Sequence, residues 1–251
     1  MFKLVKYELR ANFMTIVGIC ITVIIANLLL MTKKGNWDIA VPALSTCLII
    51  GAAIVIFISS LQIMSKYLYE NTGYLLFTLP QSGMSIMASR LITSLIQISF
   101  VVLVSGLMSY LTLTDKISFS FLKNIKINQV IYYSMSYIFM IISFLSIIYF
   151  CMVIGKVALK GKKLGKIGSF VIFIVLSMVI SWLSFKLTTM LPQTLNLSNF
   201  SISSNDILSS DFSVSGGALN INIASTIFDI LTFVGFFMYT SYLIDNKLDL
   251  S

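Results

Sequence analysis

Six long apolar runs separated by short polar or basic segments organise the chain: 14–31, 39–64, 91–113, 130–155, 169–185 and 223–244. The first is 18 residues, which as an α-helix spans about 27 Å, close to the roughly 30 Å hydrocarbon core of a bilayer. Strands of a membrane barrel would read as short segments of alternating polarity, whereas these runs are continuous. In lipid the backbone must satisfy its own hydrogen bonds, so continuous runs of this length predict helices. The pattern therefore predicts an all-α integral membrane protein: a single transmembrane domain over 1–251 with six transmembrane helices. The first run shares a basic flank with secretory signal peptides. It ends in Leu28-Leu29-Leu30-Met31 instead of a small-residue cleavage site, so it is read as a retained helix.

The segments between runs carry more information than their length suggests. At the N-terminus Phe2, Val5, Leu9 and Phe13 fall near one helical face and Lys3, Lys6 and Arg10 on another. That predicts an amphipathic helix lying at the lipid surface with its cations among the headgroups; the plainer alternative is a basic flank that orients the first span. Between the second and third runs, Leu68 to Leu79 is too apolar for a solvated linker. Interrupted by Glu70, Asn71 and Gly73, it is also too short to span. A short surface helix or a partner contact remains. Pro80 disfavours helix at Leu79, and Ser82 is suited to cap a new helix running through Met84, Ile86 and Met87 into the third span. The connection 186–222 is well beyond ordinary length; it is rich in Ser and Asn but keeps Phe200, Ile202, Ile207, Leu208, Phe212 and Val214. Two readings stay open for it, a flexible outer loop or one partly packed on the helix ends.

Composition sharpens this picture. The chain is 58% hydrophobic and 10% charged, against about 25% charged in soluble domains. Its net charge of +8 comes from residues lying between apolar runs, with no basic stripe interleaved with aromatics, so nucleic acid is not an expected partner. An even number of spans puts both termini on one side, and eleven of the seventeen Lys and Arg residues fall on that side. The positive-inside rule makes it the cytoplasm. Trp37 and Tyr110 at outer ends and Tyr67, Tyr149 and Tyr242 at inner ends fit interfacial belts. Cys20, Cys47 and Cys151 lie inside apolar runs without a CxxC pair, so they read as small buried hydrophobes. The absence of histidine removes His-dependent hydrolysis and His-ligated metal or haem sites.

Few residues could carry chemistry. Gly155 to Lys163 resembles a P-loop only loosely: it has one residue too many, lysine where Ser or Thr belongs, and no preceding strand. It reads as a basic inner loop. Asp229, about seven residues into the last span, should face protein or water, and Lys186 near the outer end of span five is a candidate partner. Pro42 and Gly51 with Ala52 and Ala53 could let helices bend or approach.

Glu70, Gly73, Tyr74, Leu75, Leu76, Leu79, Pro80 and Ser82 resemble the pattern between spans two and three of ABC-2 type permeases. The segment 1–13 is similar to the basic N-terminal helix of that family. Tyr74 departs from the small or polar residue that often follows the glycine there. The resemblance implies that Tyr69, Glu70, Asn71, Gly73, Tyr74, Leu75, Leu76 and Phe77 form a cytoplasmic coupling helix docking into an ATPase subunit, the alternative being an interfacial helix facing only lipid. It further implies two copies of an ABC ATPase supplying ATP and Mg, with no cofactor and no catalytic site in this chain. A second permease half, identical or related, surrounding membrane lipid, a plasma-membrane location in a bacterium and an exported amphipathic peptide or other lipophilic cargo complete the expectation. The rival readings are an ATPase-independent secondary transporter or channel, for which Asp229 is a sparse intramembrane charge, and an intramembrane Ser-Lys enzyme.

Overall fold

The structure, a computed structural model, describes residues 2–33, 40–69, 82–113, 127–158, 165–196, 201–204, 212–215 and 218–246. Six helices are long and apolar enough to cross a membrane: α1 (Phe2–Met31), α2 (Ala40–Tyr69), α3 (Gly83–Leu113), α4 (Ile127–Ala158), α5 (Gly165–Met190) and α6 (Ile223–Asn246). The chain is thus a multi-pass membrane protein of the predicted all-helical class. Most helices outrun the apolar runs that announce them. α1 has 30 residues, about 45 Å. Its first three turns, read either as an amphipathic helix at the lipid surface or as a basic flank of the first span, continue unbroken into the span. The reason lies in the spacing: Val5, Ile16, Cys20, Val23 and Asn27 are buried, with Glu8 and Asn12 half-buried between them, one stripe at helical spacing that never shifts face. Phe13 and Tyr7, by contrast, are exposed.

Helix starts follow local chemistry. The Ser82 carbonyl accepts the Ser85 and Ile86 amides at 2.9 and 3.2 Å, opening α3 where the sequence places a cap. Pro42 sits in the first turn of α2, where its missing N–H costs nothing, so it bends no helix interior.

Contacts divide the chain into two compact units, 1–142 and 143–251, the boundary falling inside α4. In the first unit α1, α2 and α3 pack pairwise on one another. Lipid tails are as apolar as leucine, so association here depends on close packing and interhelical polar contacts instead of water exclusion. The buried faces carry small residues accordingly: Ser45, Ala52, Ser59 and Ser60 on α2; Ser89, Thr93, Ser94 and Ser105 on α3. Several of these hydroxyls bond their own preceding turn, Ser60 to the Phe57 carbonyl at 2.7 Å and Ser89 to that of Ile86 at 2.8 Å, which directs their protons within their own helix.

The second unit holds the rest of α4, α5, α6 and a four-stranded antiparallel sheet: β1 (Gln193–Asn196), β2 (Ser201–Ser204), β3 (Phe212–Ser215) and β4 (Ala218–Asn222), in the order β2-β1-β4-β3. The long connection, for which a flexible loop and a segment partly packed on the helix ends both stood open, carries this sheet in its described residues, the outer strands pairing with the two inner ones. The register Ser215↔Ala218 leaves Gly216 and Gly217 between β3 and β4, the residue type a two-residue hairpin calls for. Leu195 faces Ile202 and Ile221 across its two neighbours. Asn222 ends β4 and also caps α6. Its Oδ1 accepts the Ser225 amide at 3.1 Å and its Nδ2 donates to the Leu191 carbonyl at 3.0 Å, so one buried side chain joins sheet, α6 and the chain leaving α5. Between helices the contacts are aromatic: Phe144 meets Phe173 edge-on at 5.9 Å, and Phe150 lies 4.8 Å from Phe236 and 5.7 Å from Tyr239.

Candidate functional site

The coupling-helix residues Glu70, Asn71, Gly73, Tyr74, Leu75, Leu76 and Phe77 lie outside the described residues; Tyr69 is the last residue of α2. The two helices that carry this segment are described, and their feet hold the principal charge cluster of the first unit. Arg90, two turns into α3, extends Nη1 to within 2.9 Å of Glu8 Oε1 on α1, with the two side chains only 7% and 11% exposed. Its guanidinium also lies over the Tyr67 ring on α2, 5.1 Å from the centroid. Three helices thus meet at one cation. Thr93 stands beside the Glu8 carboxylate, but its hydroxyl proton goes to the Ser89 carbonyl at 2.8 Å. Glu8 Oε2 and Arg90 Nε are buried without a hydrogen-bond partner among the described residues.

Burial of this pair is tolerated because the charges are opposite and adjacent. At about 4 Å between charge centres and an effective dielectric of about 20, their attraction is about 4 kcal/mol, and the ring face adds a cation–π contact to the arginine. Tyr67 and Tyr149, expected in an interfacial belt, are instead buried, at 3% and 0% exposure. Tyr67 is under Arg90; Tyr149 lies on the buried face of α4 with Leu145 and Val153. Tyr110 and Tyr242 are exposed as a belt requires.

A polar face continues up α3 from Arg90. Thr93, Ser94 and Gln97 are fully buried, and both amide atoms of Gln97 lack a partner among the described residues. Near the other end of the bundle Asn27 and Ser45 close a second buried contact: Ser45 Oγ donates to Asn27 Oδ1 at 2.7 Å while Asn27 Nδ2 donates to the Val23 carbonyl at 2.9 Å. Glu8 and Asn27 are nineteen residues apart on α1, about 28 Å. The two clusters therefore bracket a length matching a hydrocarbon core of about 30 Å, with Gln97 roughly 10 Å inside it.

Asp229 and Lys186 sit in the second unit. Asp229 is half-buried in the second turn of α6, and its backbone carbonyl accepts the Thr232 hydroxyl at 2.9 Å. Lys186 is exposed and turns its ammonium over Trp182, one helical turn back, at 4.9 Å. Cys20 and Cys151 are buried as expected, whereas Cys47 is exposed. Among the described residues no three His, Cys, Asp or Glu side chains come together.

Reading the sequence for charge by side of the membrane counts Arg90 as one more basic flank and passes over Glu8, which is set among Lys3, Lys6 and Arg10. The usable signal is the spacing Val5, Glu8, Asn12, Ile16: an acid on the apolar stripe needs a cation opposite it. Comparison of the chain with protein-family models, with curated proteins and with solved structures gives no match.

Proposed function

We propose that this chain is the membrane-spanning subunit of an ATP-driven exporter of the ABC-2 class. It would work with a second permease half, identical or related, and with two copies of a cytoplasmic ABC ATPase that binds ATP and Mg. Both termini face the cytoplasm of a bacterial cell, and the cargo is an amphipathic peptide or another lipophilic molecule moved outward. Residues 69–77 are the docking element. The observation that carries this reading is the Glu8–Arg90–Tyr67 cluster, because it fixes both feet of the segment 70–81 to each other and to α1. A motor in trans acts on a membrane subunit only through differential contact with its own two states, and such a contact moves helices only if the element it grips is stiffly mounted. The helices on either side of the twelve residues between Tyr69 and Ser82, a stretch rich in Leu and containing Pro80, supply a mount of that kind.

Purification in mild detergent tests it. The expected result is an ATPase that co-purifies with the chain and is lost when Tyr74, Leu75 and Phe77 are replaced by aspartate. Unchanged ATPase association and unchanged export in that variant would refute the reading. One observation favours a second reading, an ATPase-independent secondary transporter: the buried Gln97 amide and the polar face of α3 are groups that a substrate or ion path uses. Cargo movement by the purified chain alone in proteoliposomes, driven by an ion gradient, would replace the first reading with that one.

A further inference from the structure

A groove of about 730 Å³ runs between α1 and α2, and its walls are apolar or small. On α1 it extends from Ile19 to Leu30 and on α2 from Val55 back to Leu44, twelve residues on each helix, or about 18 Å. Half of a hydrocarbon core is about 15 Å. The groove is therefore one leaflet deep, ending near the midplane, in the leaflet at the C-terminal end of α1. Gly51 and exposed Cys47 keep it open: a Cβ on Gly51 would meet nothing within 4 Å. The hydroxyl of Thr22 in its wall donates to the Gly18 carbonyl at 2.6 Å, so that wall offers no free donor to a ligand. On α1 the lining positions recur at 19, 22, 26 and 29, and the same spacing next reaches Lys33. The chain is still turning there, with the Lys33 amide donating to the Leu30 carbonyl at 3.1 Å. Lys33 is exposed and has no carboxylate partner among the described residues.

The geometry points to a binding site for one anionic phospholipid, an acyl chain in the α1–α2 groove and the headgroup phosphate on Lys33. A helix of a second copy is a poorer occupant, because a transmembrane helix needs a track through both leaflets and this one stops halfway. Since tails gain nothing by leaving other tails, selectivity rests on the cation at the mouth and residence on the fit of the chain. The site does not depend on the exporter reading.

Native mass spectrometry of the full chain from detergent, incubated with phosphatidylglycerol or phosphatidylcholine carrying the same tails, tests this. Retention should favour phosphatidylglycerol by about fivefold, the effect of one lysine near a membrane surface. Lys33→Gln should bring the ratio toward one. Gly51→Leu, whose side chain enters open space, should cut retention of both lipids while thermal stability holds. Equal retention of the two lipids by the unaltered chain, or a preference that survives Lys33→Gln, overturns the headgroup contact. Undiminished retention in Gly51→Leu overturns the groove, and a dimer turned monomeric by that change with lipid retention intact makes the groove a protein interface.

Discussion

Replacing Glu8 by alanine would leave the Arg90 guanidinium buried between three helices with only the Tyr67 ring for company. The ion pair that this change removes is short, 2.9 Å, and poorly solvated, with 7% and 11% of the two side chains exposed. Removing one member of such a buried pair costs about 3–5 kcal/mol, mostly the penalty of the stranded charge, which agrees with the attraction of about 4 kcal/mol expected at this separation. For a chain of this size that corresponds to a drop in melting temperature on the order of 10 °C. Arg90→Ala should cost a similar amount by stranding Glu8. The double variant Glu8→Ala with Arg90→Ala should be less destabilised than the sum of the two, and the charge reversal Glu8→Arg with Arg90→Glu should recover part of the loss. Thermal unfolding of the four variants in detergent, repeated at high salt, makes the measurement; the coupling should persist in salt because a buried pair is little screened. If Glu8→Ala and Arg90→Ala each melt within a degree or two of the unaltered protein, or if their effects simply add, the cluster does not fasten the three helices and the stiff mount for 70–81 is gone with it.

Two further outcomes follow from buried polar groups. Asn222→Ala removes the N-cap of α6 and the donor to the Leu191 carbonyl, a loss of about 1–2 kcal/mol, visible as earlier proteolysis between β4 and α6; unaltered cleavage kinetics would show the cap to be idle. Gln97→Leu exchanges an amide with no protein partner among the described residues for an apolar side chain of similar size. Stability should be unchanged or higher, so a fall in transport at undiminished melting temperature would mark Gln97 as part of a substrate path, and a destabilised variant would contradict the unpartnered geometry.

The six spans were legible because lipid demands continuous apolar length, and nothing in 14–31 or 130–155 competes with that demand. What hydropathy could not show is where each helix ends, since Val5 to Asn12 joins α1 through a stripe on one face and not through mean apolarity. The sheet was obscured by its own composition. Phe212-Ser-Val214-Ser and Leu219-Asn-Ile221-Asn alternate with the period of a strand, yet a segment full of Ser and Asn reads first as a linker, and strands this short take their stability from neighbours. The charge cluster escaped for a different reason: Glu8, Tyr67 and Arg90 are far apart in sequence, and only the packing of three helices brings them to one point. The apolar segment 68–79 stood out from sequence alone; Asp229 and Lys186 also stood out, as charges in apolar surroundings, but the structure gives Lys186 an aromatic neighbour on its own helix.

The double duty of Asn222 sets rules for engineering this chain. Because the last residue of the sheet is also the first hydrogen-bond acceptor of α6, there is no spare chain between them to absorb added length. A tag inserted there would unfasten the helix, while one placed between Asn196 and Ser201 only lengthens a hairpin connection, at an entropic cost that grows slowly with its size. An inserted tag should therefore be placed at the β1–β2 end of the sheet.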